Sequence, residues 1–420
     1  MHSSRVAQRD DHSISRNCGL TISRNGELAL QNRIFQDSFT DSEAHHAELK
    51  DAVARLTGKY GRKYFQEVVA KGLQPVELWA ELGSAGFLGA HISERYGGAG
   101  GGLSDLYIVI EETAAQGCPM LSLVISSICA PIIERYGSDG MKEEWLTGMA
   151  NGSKRIAFAI TEPDAGSNTH KVTTTAREEP DGWVINGSKY WTSAIDESDA
   201  VMVVARDGER STAERSALSL FIVRTDTPGL SWQPIEAALQ SNDKQFMSFY
   251  DEVRVPHEAL VGEPGLGLQQ VFVGLNPERV AAAGINNGIA RFALEKASQY
   301  ALDRQVWKSP IGAHQGVAHP LAEAYVGVQS ARLMAAKAAQ LFDSGEDAAE
   351  SANMAKFLAA ETSLVALDQA MQVHGGNGLA LEYGLADLWF IARLHKTAPV
   401  SREMVLNHIA QHSLQLPKSY

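Results

Sequence analysis

The residues best suited to chemistry lie at 157–168, Ala-Phe-Ala-Ile-Thr-Glu-Pro-Asp-Ala-Gly-Ser-Asn. An apolar, β-like run turns at Pro163 into a loop of small residues bearing the hydroxyls of Thr161 and Ser167. Its free backbone N–H groups could lie against a flavin ring or a pyrophosphate. A plain strand-to-turn connection accounts for the same residues equally well. About twenty residues on, Ile185-Asn-Gly-Ser-Lys-Tyr-Trp-Thr-Ser193 sets an Asn-Gly turn before Trp191, which then starts a strand. Taken alone, a tryptophan there is more often core than a shelf for a cofactor. A third run, Asn276-Pro-Glu-Arg279, puts a carboxylate beside a guanidinium. It reads as the opening of a long helix, where proline and an acid in the first turn are both favoured.

These residues need elements to hold them, and the periodicity changes twice along the chain. From residue 41 to about 156 the pattern is helical, with Leu49, Val53 and Leu56 on one stripe and Val76, Trp79 and Leu82 on another. Between 156 and 261 the period is two, in β-rich runs around Trp183, 200–204, 218–223 and 246–255. Asp181-Gly182, Asn186-Gly187, Asp207-Gly208 and Pro228-Gly229 punctuate them as turns. Beyond Pro264 the helical period returns, in stripes such as Ile285, Ile289, Phe292 and Leu321, Tyr325, Val328. The expected class is α+β, mostly α: helices at 37–155, a small antiparallel β domain at 156–265 and a helical bundle at 266–420. Residues 1–36, polar and without periodicity, read as a disordered extension or a misplaced start codon.

With 420 residues, 44% hydrophobic and 21% charged, the chain is long enough for two or three packed units. A net charge of −13 argues against nucleic acid and anionic membranes as partners. No apolar run reaches the length of a membrane span, and 121–133 reads as a buried helix. Cys18, Cys118 and Cys129 have no CxxC spacing, which fits a reducing, cytoplasmic setting. No metal site is expected, because His45-His46 and His314 with His319 lack acidic or cysteine companions at ligand spacing. Gly262-Glu-Pro-Gly-Leu-Gly267 has no strand leading tightly into it, so a Rossmann reading fails.

The 157–168 and 185–193 segments together resemble the acyl-CoA dehydrogenase family, whose motifs read roughly TEPxAGSD and INGxKxWIT. The likeness continues in order through Asp226-Thr-Pro-Gly, Val253-Arg-Val-Pro, Tyr300-Ala-Leu-Asp-Arg304, Gln315 and Gln372-Val-His-Gly-Gly-Asn-Gly378. Many spacings agree at once, from about residue 40 to the end. The resemblance implies an N-terminal helical domain, a central β domain and a C-terminal four-helix bundle that bind FAD. It places Phe158, Ile160, Thr161, Ser167, Trp191 and Ser193 along the flavin ring and its phosphates. Arg304, Trp307, Gln315, Gln372, Gly375 and Gly376 match groups that reach a neighbouring subunit's FAD, which implies a homodimer or homotetramer. A guanidinium suits a pyrophosphate through paired hydrogen bonds, and glycines let backbone approach a cofactor closely.

The implied reaction is α,β-dehydrogenation of an acyl-CoA thioester to the trans-2-enoyl-CoA, as in fatty acid β-oxidation, with an electron-transfer flavoprotein as electron acceptor. It needs a carboxylate base with its pKa lifted by burial. In most of the family that base is a Glu seventeen residues beyond the Glu of an EYP segment; counted from Glu382, that position is Pro399. Proline takes no proton and has no N–H for the thioester carbonyl. Ser401 keeps a hydroxyl where the family has Thr, on the cofactor side. Glu278 falls where some branched-chain and long-chain members keep their base, and with position 399 empty it is assigned that role. Arg279 matches an arginine that supports the same region, on the substrate side. The altered base position leaves two alternatives: a different flavin chemistry, or a non-catalytic FAD-binding subunit of a heteromer.

Overall fold

The computed structural model describes residues 44–212 and 217–418. The expected 1–36 extension and Cys18 lie outside the described residues. The chain opens with α1 (Ala44–Gly58), α2 (Gly61–Ala70), α3 (Val76–Ser84), α4 (Leu103–Ala115) and α5 (Ser122–Tyr136), followed by the short α6 (Asp139–Met141) and α7 (Thr147–Asn151). Every residue of α4 from Asp105 onward is buried. It is apolar around most of its circumference because it packs against α1 on one side and the C-terminal bundle on another. The apolar 121–133 run forms the buried body of α5, with Pro131 inside the helix.

The sheet comprises β1 (Ile156–Ala159), β2 (Thr175–Glu179), β3 (Gly182–Ser193), β4 (Ala200–Asp207), β5 (Leu218–Arg224), β6 (Leu230–Ile235), β7 (Gln245–Val255) and β8 (Leu260–Val261). Its order is β6-β7-β3-β2-β4-β5-β8, with β1 against β4. It is antiparallel except at β4, which pairs in parallel with both β1 and β2. The chain leaves the sheet through the 160–174 and 194–199 connections, so β4 enters in the direction of both. The expected turn at Asn186-Gly187 is instead a bulge inside a continuous β3, where the register against β7 shifts. Asn186 closes over it, donating to Glu252 Oε1 at 2.7 Å and accepting from Glu252 N at 2.8 Å. Gly187 has φ 144°, and Thr174 lies where its Cβ would stand.

The C-terminal region begins with α8 (Gly267–Asp303), passes through a hairpin of β9 (Gln305–Val306) and β10 (Ser309–Pro310), and continues as α9 (Gln315–Asp343) and α10 (Ala349–His374). After α11 (Trp389–Leu394), α12 (Arg402–His412) is the fourth helix of the bundle; at 11 residues it is far shorter than the other three. The long helices meet through alanines, including Ala281, Ala293, Ala335, Ala355 and Ala359, which allow close axes. Helix α4 joins the same core. Two buried carboxylates on α4, Glu111 and Glu112, pair with Arg291 of α8, and Glu111 also pairs with Arg332 of α9. Asp105 shares its carboxylate between His45 at 2.9 Å and His46 at 3.2 Å. Folding thus supplies these histidines with the acidic companion that local spacing lacked. Among the described residues no helix is long and apolar enough to cross a membrane.

The α4–α8 contact depends on glycine. A Cβ at Gly288 would stand 2.5 Å from the Ala114 methyl and 2.9 Å from the Ala115 nitrogen. Gly288→Ala gains roughly 1 kcal/mol of helix propensity, but the overpacking against α4 is larger. A net loss of about 1–2 kcal/mol is expected, read as a lower thermal midpoint of the flavin-loaded protein with its visible spectrum unchanged.

Candidate active site

Three groups of the sequence-assigned residues form, each around a different anchor. The first is built on β1 and β3. Lys189 is fully buried and donates to Ile160 O at 3.1 Å and to Glu162 Oε1 at 2.9 Å. Tyr190 N donates to Thr161 O at 2.8 Å. These bonds hold Phe158, Ile160 and Thr161 beside the end of β3 that carries Trp191 and Ser193. Trp191 is 46% exposed and sits at φ 62°, a left-handed backbone costing roughly 1–2 kcal/mol for a non-glycine residue. Packing within the subunit does not explain an exposed indole held this way. The Ser193 hydroxyl donates to Gln245 Oε1 at 2.9 Å, and Ser167 lies on the exposed turn.

The second group gathers at the far end of the bundle. Tyr300 stacks on His374 with ring centroids 4.2 Å apart and receives a hydrogen bond from Asn377 at 3.2 Å. These contacts join the last turn of α8, which leads into Arg304, to the end of α10 that carries Gln372, Gly375 and Gly376. Burial pushes the His374 imidazole down in pKa, and its Nδ1 pairs with Ala370 O at 2.7 Å, a structural arrangement. Gly375 adopts φ 60° and ψ −136°, with no other atom within 4 Å of where a Cβ would be. Trp307 is 91% exposed at φ 59°, and Gln315 opens α9 in full contact with solvent. Arg304 has no ion pair among the described residues.

The third group surrounds Glu278. The helix starts at Gly267, so Glu278 lies in its interior and not in its first turn. The dipole argument for a first-turn acid therefore does not apply. Burial pushes the Glu278 carboxyl up to about 7, against the pull of Arg279 and Lys356. Cys129 of α5 faces it, a neutral thiol raised by burial and by the Glu278 charge. Arg279 donates to Leu275 O at 3.2 Å and to Asn276 Oδ1 at 2.7 Å, while its buried Nε has no partner. Leu275, one turn before, shares an apolar cluster with Phe158, Ile160 and Cys129, which ties this group to the first.

The turn at 397–401, including Pro399, is pinned to α10. Glu361 accepts from Lys396 Nζ and from Arg402 Nε, each at 2.8 Å, and Lys356 Nζ donates to Val400 O. Ser401 caps α12, accepting from Met404 N at 3.3 Å. Neighbouring His395 is buried and pushed down to about 3, with Nδ1 2.8 Å from Asn286 Oδ1, so it is neutral.

Sequence reasoning missed Lys189 with Glu162 and Lys356 with Cys129. One signal was available: a lone lysine on a stripe of alanines at 352, 355 and 359 must be buried with them.

A flat cofactor with a phosphate tail fits these residues. The exposed indole beside Thr161 offers a ring a face, the free space at Gly375 admits another molecule, and the unpaired Arg304 awaits an anion. Glu278 on α8 and Arg304 just past its end are 26 residues apart, roughly 39 Å at ~1.5 Å per residue. Glu278 and Arg304 of one chain therefore lie far apart along the bundle.

Residues 43–153, 157–251 and 265–414 match the N-terminal, middle and C-terminal domains of acyl-CoA dehydrogenase. The chain is 51% identical over 386 residues to acyl-CoA dehydrogenase FadE12 of Mycobacterium tuberculosis, covering 91% of this chain and 99% of that one. It is similar to glutaryl-coenzyme A dehydrogenase solved with glutaryl-CoA, with a TM-score of 0.84 and 30% identity, covering 90% and 97% of the two chains. It is also similar to a glutaryl-CoA dehydrogenase of Mycobacterium smegmatis solved with FADH2, with a TM-score of 0.82 and 25% identity, covering 90% and 96%.

Proposed function

Because the chain belongs to the acyl-CoA dehydrogenase family, an oxidoreductase family whose cofactor is FAD, we propose that it desaturates an acyl-CoA thioester to the trans-2-enoyl-CoA with Glu278 as the base. The observation that carries this is the state of Glu278, a buried carboxyl lifted to about 7, in a chain whose Pro399 can neither take a proton nor donate an N–H. A base poised near the working pH removes the proton α to a thioester most effectively. FAD, when bound, supplies the hydride acceptor.

The chain's own residues divide the remaining work. Phe158, Ile160, Thr161, Trp191 and Ser193 hold the ring, and Ser167 and the exposed turn receive the phosphates. Arg279 braces the helix under Glu278, and its charge helps the carboxyl ionise. Arg304, Trp307, Gln315, Gln372, Gly375 and Gly376 serve the FAD of a second copy, which makes the active form a homodimer or homotetramer. The ~39 Å between Glu278 and Arg304 supports that assignment. An electron-transfer flavoprotein takes the electrons onward.

Anaerobic mixing with a panel of straight, branched and aromatic acyl-CoAs tests the reading. At least one thioester is expected to bleach the oxidised flavin absorbance stoichiometrically and to yield the matching 2-enoyl product. Loss of bleaching across the whole panel in FAD-loaded protein would falsify it. The missing donor at Pro399 favours a second reading in that case, an FAD-binding subunit that supports a catalytic partner.

A further inference from the structure

Helix α1 is seated less deeply than its neighbours. Val53 and Thr57 are its buried residues, and Val53 meets Ala90 and Val109 in a small cluster with Leu49 and Phe87 partly buried around it. The first turn of α1 carries a second attachment. His45 and His46 both aim Nε2 at the carboxylate of Asp105, in the first turn of α4. His45 lies 2.9 Å from Oδ2 and His46 3.2 Å from Oδ1. Successive residues of a helix point about 100° apart, so two adjacent imidazoles converge on one carboxylate only when it stands between them. A glycine makes room for that carboxylate: a Cβ at Gly101 would stand 1.8 Å from Asp105 Oδ2.

The Asp105 side chain is 5% exposed, and a carboxylate so placed needs compensation for its charge. Among the described residues the groups that pair with it are these two imidazoles, which are charged only if protonated. A divalent ion held by the same three groups answers that charge without a proton. One donor atom from each residue lies within 4.8 Å of the others. Donors around a tetrahedral zinc, on bonds of ~2.0–2.2 Å, stand roughly 3.3 Å apart. The cluster therefore closes on an ion by turning side chains, with the backbone left in place. We propose that His45, His46 and Asp105 form a zinc site that clamps the start of α1 onto α4. Two imidazoles and a carboxylate are zinc ligands, and the set holds no thiolate to favour a softer ion. Each ring then carries its proton on Nδ1 and gives Nε2 to the metal. The His45 side chain is 62% exposed and that of His46 12%, so the ion enters from solvent and water completes its coordination. None of the three residues belongs to the groups assigned to the flavin or to the base.

The test uses untagged, FAD-loaded, full-length protein, cleared of metal with a chelator and titrated with Zn2+ against a fluorescent zinc indicator. One equivalent per chain is expected to bind at micromolar concentration. His45→Gln, His46→Gln and the double variant are expected to weaken it by more than the ~10–100-fold that loss of an outer-shell partner costs. Their flavin spectrum and bleaching are expected to match the wild type. The rival chelating pair is His408 and His412, whose rings lie 4.5 Å apart on α12. Replacing both of those by Gln is expected to leave the affinity unchanged. Zinc that stays bound in the His45→Gln/His46→Gln protein, or that leaves with His408 and His412, overturns the proposal. So does a wild type that takes up none at micromolar concentration.

Two measurements on the wild type decide the matter even if a variant, Asp105→Asn above all, does not fold. X-ray absorption at the zinc edge is expected to show nitrogen and oxygen ligands at ~2.0–2.2 Å with imidazole scattering; a sulfur shell would put the ion on a cysteine and sink the idea. Hydrogen exchange is expected to slow in α1 when Zn2+ is added, and the thermal midpoint to rise by about 3 °C with the ion at ~100 times its dissociation constant. Slower exchange elsewhere, with α1 unchanged, means that the ion sits at another place and does not clamp this helix.

Discussion

Glu278→Gln is expected to bind FAD and acyl-CoA normally and to lower the rate of anaerobic flavin bleaching by about 10³-fold. The amide keeps the size of the side chain and its place in α8, so the loss belongs to proton removal and not to packing. KM is expected to change little, because a base that acts in the transition state contributes little to ground-state binding. In the wild type the acid limb of kcat/KM is expected near pH 7, the value to which burial lifts the carboxyl. Activity increases as pH rises through that limb, since the deprotonated form is the base. Glu278→Asp keeps a carboxylate but withdraws it by one methylene; it is expected to retain more activity than Gln with the limb still present. Stopped-flow bleaching at several pH values measures all three. A Gln variant that bleaches at the wild-type rate removes Glu278 from the chemistry altogether.

The experiment is decisive because Pro399 closes the alternative. Its ring nitrogen donates nothing and accepts no proton, and the turn around it is tied to α10 through Lys396, Arg402 and Val400. Of the acids near the turn, Glu361 is engaged by two cations, and Glu403 points into solvent at the start of α12. Of these three acids, Glu278 is the one that combines a dry setting with a raised pKa.

What could be read in the sequence follows what kind of information each feature carries. Periodicity found the helical stripes and the β runs, because burial on one face leaves a pattern of three to four or of two. It misplaced the start of α8 by ten residues: Pro277 resembles a first-turn proline, and nothing local announces that the helix is already running from Gly267. An Asn-Gly pair signals a turn, although the same two residues also make a bulge in an uninterrupted strand. Local spacing does not tell those apart; the partner strand does. The residues proposed for the cofactor came from motif order, and the two motifs are joined by the bond from Tyr190 N to Thr161 O. Lys356 stayed hidden because the carbonyl it donates to, Val400, lies 44 residues away. Asp105, at a separation of 60 residues from His45, escaped for the same reason.

Glu162→Gln is expected to strip most of the FAD and to destabilise the protein by about 3–5 kcal/mol, the usual result of leaving a buried charge without its partner. The Glu162 carboxylate accepts from Thr173 N at 2.7 Å, Thr173 Oγ1 at 2.6 Å, Thr174 N at 2.9 Å and Lys189 Nζ at 2.9 Å. Its backbone exchanges two hydrogen bonds with Ala165, each 3.1 Å long, which closes the 162–165 turn. One residue therefore shapes the loop assigned to the phosphates and fastens it to β3, four residues before Ser193. Burial opposes ionisation, yet Lys189 and the threonine donors hold the carboxyl down to about 2. Folded Glu162 thus titrates below its unfolded value, so its stabilisation is complete above pH ~4.5 and disappears as pH falls toward 2. The Gln variant is expected to lose this acid-dependent slope along with its overall stability. Removing both charges, Glu162→Gln with Lys189→Met, leaves no unpaired ion and is expected to recover most of the stability but not the FAD, because the loop stays loose. Thermal midpoints and the ratio of flavin to protein absorbance separate the two effects. Full FAD content in Glu162→Gln would mean that the loop keeps its shape without this anchor, and that the phosphates are held from elsewhere.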